Sequence, residues 1–150
     1  MQIGLVGLGR MGGNITRRLI EMGKHEVVVF DVNPKAVDEL AQHGAIAAAS
    51  LKEVAAKLKA PRTVWIMLPA GKITEDTIHA LSSILQSGDT IIDGGNTFWQ
   101  DDVRRAQALK EKGIHYIDVG TSGGIWGYER GYCMMIGGDK ANVDRLDPIF

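Results

Sequence analysis

The run Gly7-Leu8-Gly9-Arg10-Met11-Gly12 constrains the fold of this chain more than any other feature. It directly follows an apolar run, Gln2–Val6, that reads as a strand. It opens a stretch, Met11–Met22, that reads as a helix stopped by Gly23. Between a strand and a helix the three glycines have separate tasks. Gly7 permits a tight turn, Gly9 lets a bound group approach the backbone, and Gly12 lets the helix pack close to the strand. The unpaired N–H groups and the positive end of the helix dipole then favour an anion such as a pyrophosphate. Three glycines in six residues often mean only a flexible turn. Here, however, Asp31 follows Gly12 by 19 residues at the end of a second apolar run, where the ribose hydroxyls of a dinucleotide need an acceptor.

The rest of the chain repeats the alternation. Strands are predicted at Gln2–Val6, Glu26–Phe30, Ala45–Ala47, Thr63–Met67, Thr90–Asp93, His115–Val119 and Tyr132–Ile136. Between them, helices are predicted over Met11–Met22, Pro34–Gln42, Leu51–Leu58, Glu75–Leu85 and Gln100–Lys112, and a last one runs from an Asp139 N-cap to the carboxyl terminus. Pro34 sits at a first helical position, and Ser50-Leu51-Lys52-Glu53 has the capping-box form. Short apolar strands alternating with helices predict an α/β fold of the Rossmann type, a doubly wound, mostly parallel sheet with helices on both faces. Residues 1–150 are the size of one such domain. The last helix carries an apolar stripe, Val143, Leu146, Ile149 and Phe150, that must be covered either by this domain or by another. The expectation is that the chain is a fragment whose next domain supplies the cover.

Composition removes several function classes. Lys and Arg total 17 against 18 Asp and Glu, a net charge of −1, so no global positive field attracts nucleic acid or anionic lipid. The apolar stretch around Val64 to Leu68 is far too short for a membrane helix. No basic segment precedes the first apolar run, as a secretory signal requires, so a cytoplasmic setting is expected. Cys133 is the single cysteine and reads as a small buried thiol in the run Tyr132–Ile136. His25, His43, His79 and His115 are scattered without the spacing of a metal site, so no metal is expected.

Three further loops follow strand ends, where ligands of doubly wound sheets lie. Leu68-Pro69-Ala70-Gly71 is either a cofactor contact or an ordinary loop. In Asp93-Gly94-Gly95-Asn96-Thr97 an amide that can donate and accept stands beside two glycines, either serving a ligand or capping its own turn. Thr121-Ser122-Gly123-Gly124 offers a hydroxyl and approachable N–H groups for a carboxylate or hydroxyl. No partner base makes Ser122 a nucleophile, so binding is its better functional reading. Trp99, Trp126 and Tyr128 flank these loops as pocket walls or as core.

Taken together, Gly7–Gly12 followed by Asn14, the run Asp93–Thr97 through Asp101 to Arg104-Arg105, and Ser122-Gly123-Gly124 with Gly127, Gly131 and Gly137-Gly138 beyond resemble the 6-phosphogluconate dehydrogenase family. The likeness is greater to its shorter, NAD-preferring branch and covers essentially the whole chain. It implies that Leu68, Pro69 and Ala70 line the cofactor, that Asn96 bridges cofactor and substrate, and that Ser122, Gly123 and Gly124 bind the sugar acid. It also implies oxidation at C3 of 6-phosphogluconate followed by loss of CO2, and a homo-oligomeric full-length protein. The family's general-base lysine, acid glutamate and phosphate-binding groups lie after residue 150, so no catalytic residue is assigned in this chain. Related β-hydroxyacid dehydrogenases, of the 3-hydroxyisobutyrate or tartronate semialdehyde type, share the first loop and the Ser-Gly-Gly but usually lack Asp-Gly-Gly-Asn. A noncatalytic NAD-binding module is the third reading.

Phe30-Asp31-Val32-Asn33 bears on the cofactor. Asp31 can accept from both ribose hydroxyls of NAD, whereas the 2′-phosphate of NADP would meet a like charge. NADP-using members of the resembled family typically have Asn-Arg-Thr across these three last positions, so Val32 stands where their arginine would be. Arg10 is a lone opposing cation. The cofactor-binding set expected is therefore Gly7, Leu8, Gly9, Arg10, Met11, Gly12, Asp31, Val32, Asn33, Leu68, Pro69, Ala70 and Asn96, with NAD as the cofactor.

Overall fold

The computed structural model describes residues 1–150. Its seven strands are β1 (Gln2–Val6), β2 (Glu26–Phe30), β3 (Ile46–Ala47), β4 (Thr63–Ile66), β5 (Thr90–Asp93), β6 (His115–Ser122) and β7 (Cys133–Gly138). The helices are α1 (Arg10–Glu21), α2 (Pro34–Gln42), α3 (Leu51–Lys57), α4 (Lys72–Ile84), α5 (Trp99–Lys110), α6 (Gly127–Arg130, preceded by a 3₁₀ turn Gly124–Trp126) and α7 (Lys140–Arg145). One sheet in the order β3-β2-β1-β4-β5-β6-β7 holds all the strands. Every pair is parallel except β6 with β7. This is the doubly wound Rossmann architecture expected, with an antiparallel edge.

The pleat explains why the central strands read as unbroken apolar runs. Successive side chains point to opposite faces, and both faces are covered. Ile3, Leu5, Val27, Val29, Trp65 and Ile92 pack with Ile15 and Leu19 of α1 and Val37 and Leu40 of α2. Val6, Val28, Val64, Ile66 and Ile91 pack on the other face with Val54 of α3, Ile78 and Leu81 of α4 and Leu109 of α5. Half of the capping box at Ser50 forms as read: the Ser50 hydroxyl accepts from the Glu53 N–H at 3.1 Å, while the Glu53 carboxylate accepts at 2.7 Å from the N–H of Ala49, one residue before the N-cap.

Four local expectations change. Cys133 is exposed rather than buried, because β7 is an edge strand with no helix over its outer face: Met134 and Ile136 turn inward while Cys133 and Met135 face solvent. Helix α4 begins at Lys72, three residues before the predicted start, and its first turn is anchored by the Thr74 hydroxyl donating to the Pro69 carbonyl at 2.9 Å. The turn-rich segment after Gly123 holds the 3₁₀ turn and α6. Helix α7 ends at Arg145 instead of running to the terminus, since Pro148 has no N–H to continue it and disfavours helical backbone at the residue before it.

That early stop folds the carboxyl-terminal stripe back onto its own domain. Leu146 and Ile149 are buried in the first core cluster, and the Phe150 ring meets Trp65 edge-on with centroids 5.9 Å apart. Leu146 and Ile149 are thus covered by this domain itself, while Val143 and Phe150 are partly buried. Leu146→Ala should accordingly lower the unfolding free energy by about 2–5 kcal/mol, read by urea denaturation. An unchanged midpoint would mean that the last turn does not belong to this core.

Candidate functional site

The sheet order reverses between β1 and β4, and the loops leaving these strands part there to open a crevice at their carboxyl ends. Gly7 continues β1 with φ of +91°, and a Cβ on it would lie 2.5 Å from the Met67 carbonyl after β4. A Cβ on Gly12 would lie 2.0 Å from the Gly7 carbonyl, so the first turn of α1 packs on the end of β1 as no other residue allows. Gly9 is different. A Cβ there would meet nothing within 4 Å, so the protein itself does not require a glycine at this point. Gly9 is also the N-cap of α1, without a side-chain cap. The first N–H groups of a helix have no partner within it. Open space beside unpaired donors at a helix start suits a bound anion.

A cleft of about 580 Å³ spreads from this point. Gly7, Gly9, Arg10, Met11 and Gly12 form one side, Phe30, Asp31 and Val32 another. Met67, Leu68 and Pro69 with Ile73 and Thr77 of α4 form a third, and Leu51 completes it. Asp31 ties two of these walls together: one carboxylate oxygen accepts from the Leu8 N–H at 2.6 Å and the other from the Asn33 N–H at 2.8 Å. Each oxygen has a second lone pair for a further donor. Val32 is 92% exposed and brings no charge to the rim.

The Asn96 loop leaves β5, on the far side of β4 from β1. Its anchor is Asp93, fully buried, not Asn96. One Asp93 oxygen accepts from the Gly95 N–H at 2.9 Å; the other accepts from the Thr97 hydroxyl at 3.0 Å and Arg105 Nη1 at 3.4 Å and lies 3.0 Å from the Tyr116 hydroxyl, whose one proton it shares with Asp102. The Asn96 side chain is exposed and has no hydrogen bond to protein. Around Asp93, burial and then the Asp93 charge hold the Tyr116 phenol far above its usual value, and burial foremost raises the Asp102 carboxyl. Glu75 on α4 goes the other way, to about 2, chiefly through hydrogen bonds from Arg104.

Ser122 ends β6, the next strand along, with its side chain exposed. Gly123 and Gly124 follow with φ of +149° and +52°. The loop is fastened to α1 through α6. Arg18 Nη1 donates to the Tyr128 carbonyl at 2.8 Å, the Arg17 guanidinium lies 4.4 Å from the Tyr128 ring centroid, and the Tyr128 hydroxyl donates to Glu21. The helix that starts at the glycine loop thus also braces the Ser122 loop.

The profile of the NAD binding domain of 6-phosphogluconate dehydrogenase matches residues 2–150. The chain belongs to this family. An NAD(+)-dependent, decarboxylating 6-phosphogluconate dehydrogenase of Haloferax volcanii is 40% identical over 150 residues, which are 100% of this chain and 49% of that protein. One of the same description from Bacillus subtilis is 38% identical over 151 residues, 98% of this chain and 32% of that protein. Among solved structures, Plasmodium falciparum 6-phosphogluconate dehydrogenase, described with its cofactor NADP+ and its substrate, superposes with a TM-score of 0.91 at 30% identity. That superposition covers 99% of this chain and 33% of that one. Mycobacterium tuberculosis 3-hydroxyisobutyrate dehydrogenase superposes with a TM-score of 0.87 at 27% identity, over 99% and 50% of the two chains. The chain spans about half the length of the Haloferax protein and a third of the Bacillus one. No helix is long and apolar enough to cross a membrane.

As an NAD-binding domain of the 6-phosphogluconate dehydrogenase family, the chain gathers most of the expected cofactor set around one cleft. Leu8, Asn33, Ala70 and Asn96 fall outside that lining. Leu8 turns its side chain into the core, and its N–H is taken by Asp31. The Asn33 side-chain oxygen caps α2, accepting from the Lys35 N–H at 3.2 Å. Asn96 and Ser122–Gly124 lie at the carboxyl ends of neighbouring strands, away from the glycine loop. Trp99 and Trp126 are more than half exposed and are not core. Sequence reasoning missed Ile73 and Thr77, although their spacing of four puts them on one helix face once α4 is known to start at Lys72. It also missed Asp93 as the anchor of the Asn96 turn, whose only signal was its place two residues before a glycine N–H. The two loop glycines should respond differently to substitution. Gly9→Ala should weaken NAD binding tenfold or more, about 1.4 kcal/mol, with only the small loss of stability, up to about 1 kcal/mol, of a glycine N-cap replaced by alanine. Gly12→Ala should destabilise the fold itself, by about 1–3 kcal/mol. Thermal melts and calorimetry check both, and a Gly9→Ala variant that binds NAD as tightly as the wild type would remove the case for a ligand seat at Gly9.

Proposed function

We propose that this domain holds NAD for the oxidative decarboxylation of 6-phosphogluconate to ribulose 5-phosphate, in a polypeptide whose proton-transfer groups lie outside these 150 residues. One observation carries the reading: Asn96 is exposed and unpaired on a turn that Asp93 already holds, at a strand end of a domain whose family match runs from residue 2 to residue 150. A turn that does not need its asparagine leaves that amide free for a ligand. Residues 1–150 are then the cofactor domain of a longer protein, in keeping with coverage of half the Haloferax relative. A homo-oligomer built through the remaining part and a cytoplasmic setting complete the proposal.

NAD, when bound, supplies the acceptor for the hydride leaving C3 of the sugar acid. The chain's own residues bind and orient. The N–H groups at the start of α1, beside the open position at Gly9, receive the pyrophosphate. Asp31, whose oxygens keep lone pairs beyond Leu8 and Asn33, accepts from the ribose hydroxyls. Val32, Leu68, Pro69 and Ala70 border the cofactor. Asn96 bridges cofactor and substrate, and the Ser122 hydroxyl with the Gly123 and Gly124 N–H groups takes the sugar acid. A carbonyl formed β to the substrate carboxylate accepts the electron pair released as CO2 departs. A 3-hydroxyisobutyrate-type substrate is the second reading, favoured by the 3-hydroxyisobutyrate dehydrogenase superposition. Against it stands the Asp93-Gly94-Gly95-Asn96 run.

Calorimetry on this chain should give NAD at least tenfold tighter than NADP, a gap of about 1.4 kcal/mol. Asp31→Asn with Val32→Arg should shift the preference toward NADP. Equal affinities in the wild type would overturn the cofactor assignment. The chain alone should bind NAD without producing NADH from 6-phosphogluconate. In the full-length polypeptide, Asn96→Ala and Ser122→Ala should each lower kcat/KM for 6-phosphogluconate at least tenfold, about 1.4 kcal/mol of transition-state stabilisation, with melting temperatures held. Faster turnover of 3-hydroxyisobutyrate than of 6-phosphogluconate would decide for the second reading.

A further inference from the structure

Arg105 is only 3% exposed, and its guanidinium is shared among three carboxylates. Nε donates to Glu75 at 2.9 Å, while Nη1 faces Asp93 and Asp102, each at 3.4 Å. The Tyr116 hydroxyl lies 3.0 Å from Asp93 and 2.7 Å from Asp102, and its single proton serves one of them at a time. Burying an arginine with two acids is a poor way to gain stability, because well-packed apolar side chains of the same volume often do as well or better. What such a network can add is a fixed geometry.

Each arm of Arg105 ends at a different part of the site. Asp93 holds the Gly95 N–H and the Thr97 hydroxyl, the two residues that flank Asn96. Glu75 sits on α4 between Ile73 and Thr77, which wall the cofactor cleft. The planar guanidinium reaches both at once, whereas a lysine ammonium offers no such fork.

We infer that Arg105 is a positioning residue: acting through Asp93 it fixes the Asn96 turn, and through Glu75 it holds that turn at a set distance from the cofactor cleft. The assignment rests on the proposed role of Asn96 in the reaction, so its test has one readout that depends on that role and one that does not. The first is amide hydrogen exchange at Gly95, followed by NMR in this chain. Arg105→Lys should raise the Gly95 exchange rate tenfold or more while amides in β1 and α1 keep their protection. The second is kinetics of the full-length polypeptide. Arg105→Lys should lower kcat with 6-phosphogluconate at least tenfold and raise KM for NAD by a smaller factor, since Asn96 is one cofactor contact among several, a split that general destabilisation would not produce. Glu75→Gln, at a half-exposed position, should move both readouts in the same direction by a smaller factor, and it serves alone if Arg105→Lys does not fold. Unchanged Gly95 exchange in the variants that fold overturns the positioning role. A wild-type enzyme inert toward 6-phosphogluconate overturns the functional reading instead, and the exchange data still decide the role of Arg105. Faster exchange with undiminished kcat would show that the turn is held by Arg105 to no catalytic end, and would also overturn the inference.

Discussion

Everything at this site depends on how closely α1 approaches the end of β1. With Gly12 against the Gly7 carbonyl, where a Cβ would come within 2.0 Å, the helix starts directly above the strand end. Its unpaired N–H groups therefore open toward the crevice at the reversal of sheet order rather than toward bulk solvent. A helix displaced by the width of one methyl group would still be a helix. It would no longer put donors and the open position at Gly9 beside the loops that leave β2 and β4.

Two aspartates, each at the carboxyl end of a strand, turn that geometry into a rigid site. Asp31 takes the N–H groups of Leu8 and Asn33 and so locks the glycine loop to the turn after β2. Asp93 takes the N–H of Gly95 and the hydroxyl of Thr97 and locks the turn after β5. In both, the carboxylate takes nearby donors, two backbone N–H groups at Asp31 and one N–H with a hydroxyl at Asp93, so the exposed Val32 and Asn96 beside them are not needed to hold the turn. The Ser122 loop is secured differently, by the Arg17, Arg18 and Glu21 side of α1 gripping Tyr128. One helix thus serves the cofactor loop at its start and the Ser122 loop along its side.

The fold was legible because period and punctuation agreed. Apolar runs such as Val27–Val29 and Val64–Ile66 belong to strands covered on both faces, Pro34 and Ser50 mark helix starts through local backbone chemistry, and Gly23 follows the α1 C-cap Met22. Where local pattern and long-range packing disagreed, packing prevailed. Tyr132–Ile136 looks as apolar as β4, but its position at the sheet edge exposes every second residue, Cys133 among them. The turns of 124–130 carry no helical period, and their structure comes from contacts with α1, more than a hundred residues away. Of the candidate residues, spacing after strands put the glycines and Asp31 at the cleft and Asn96 at the end of β5. Arg105, Glu75 and Tyr116 were not legible, because residues far apart in sequence meet only once β5, β6, α4 and α5 have packed.

The most direct measurement is a titration of the nitrogen-15-labelled chain with NAD, followed by amide NMR. If the start of α1 seats the cofactor, the largest shifts fall on the amides of Gly9 to Gly12, with Leu8 and Asn33 responding through Asp31. The chain also has a separate hollow of about 350 Å³ between α1 and the carboxyl terminus, lined by Ile15, Met22 and Phe150 among others. Shifts centred on that hollow, with the Gly9 to Gly12 amides unmoved, would contradict the assignment of the glycine loop as the cofactor seat.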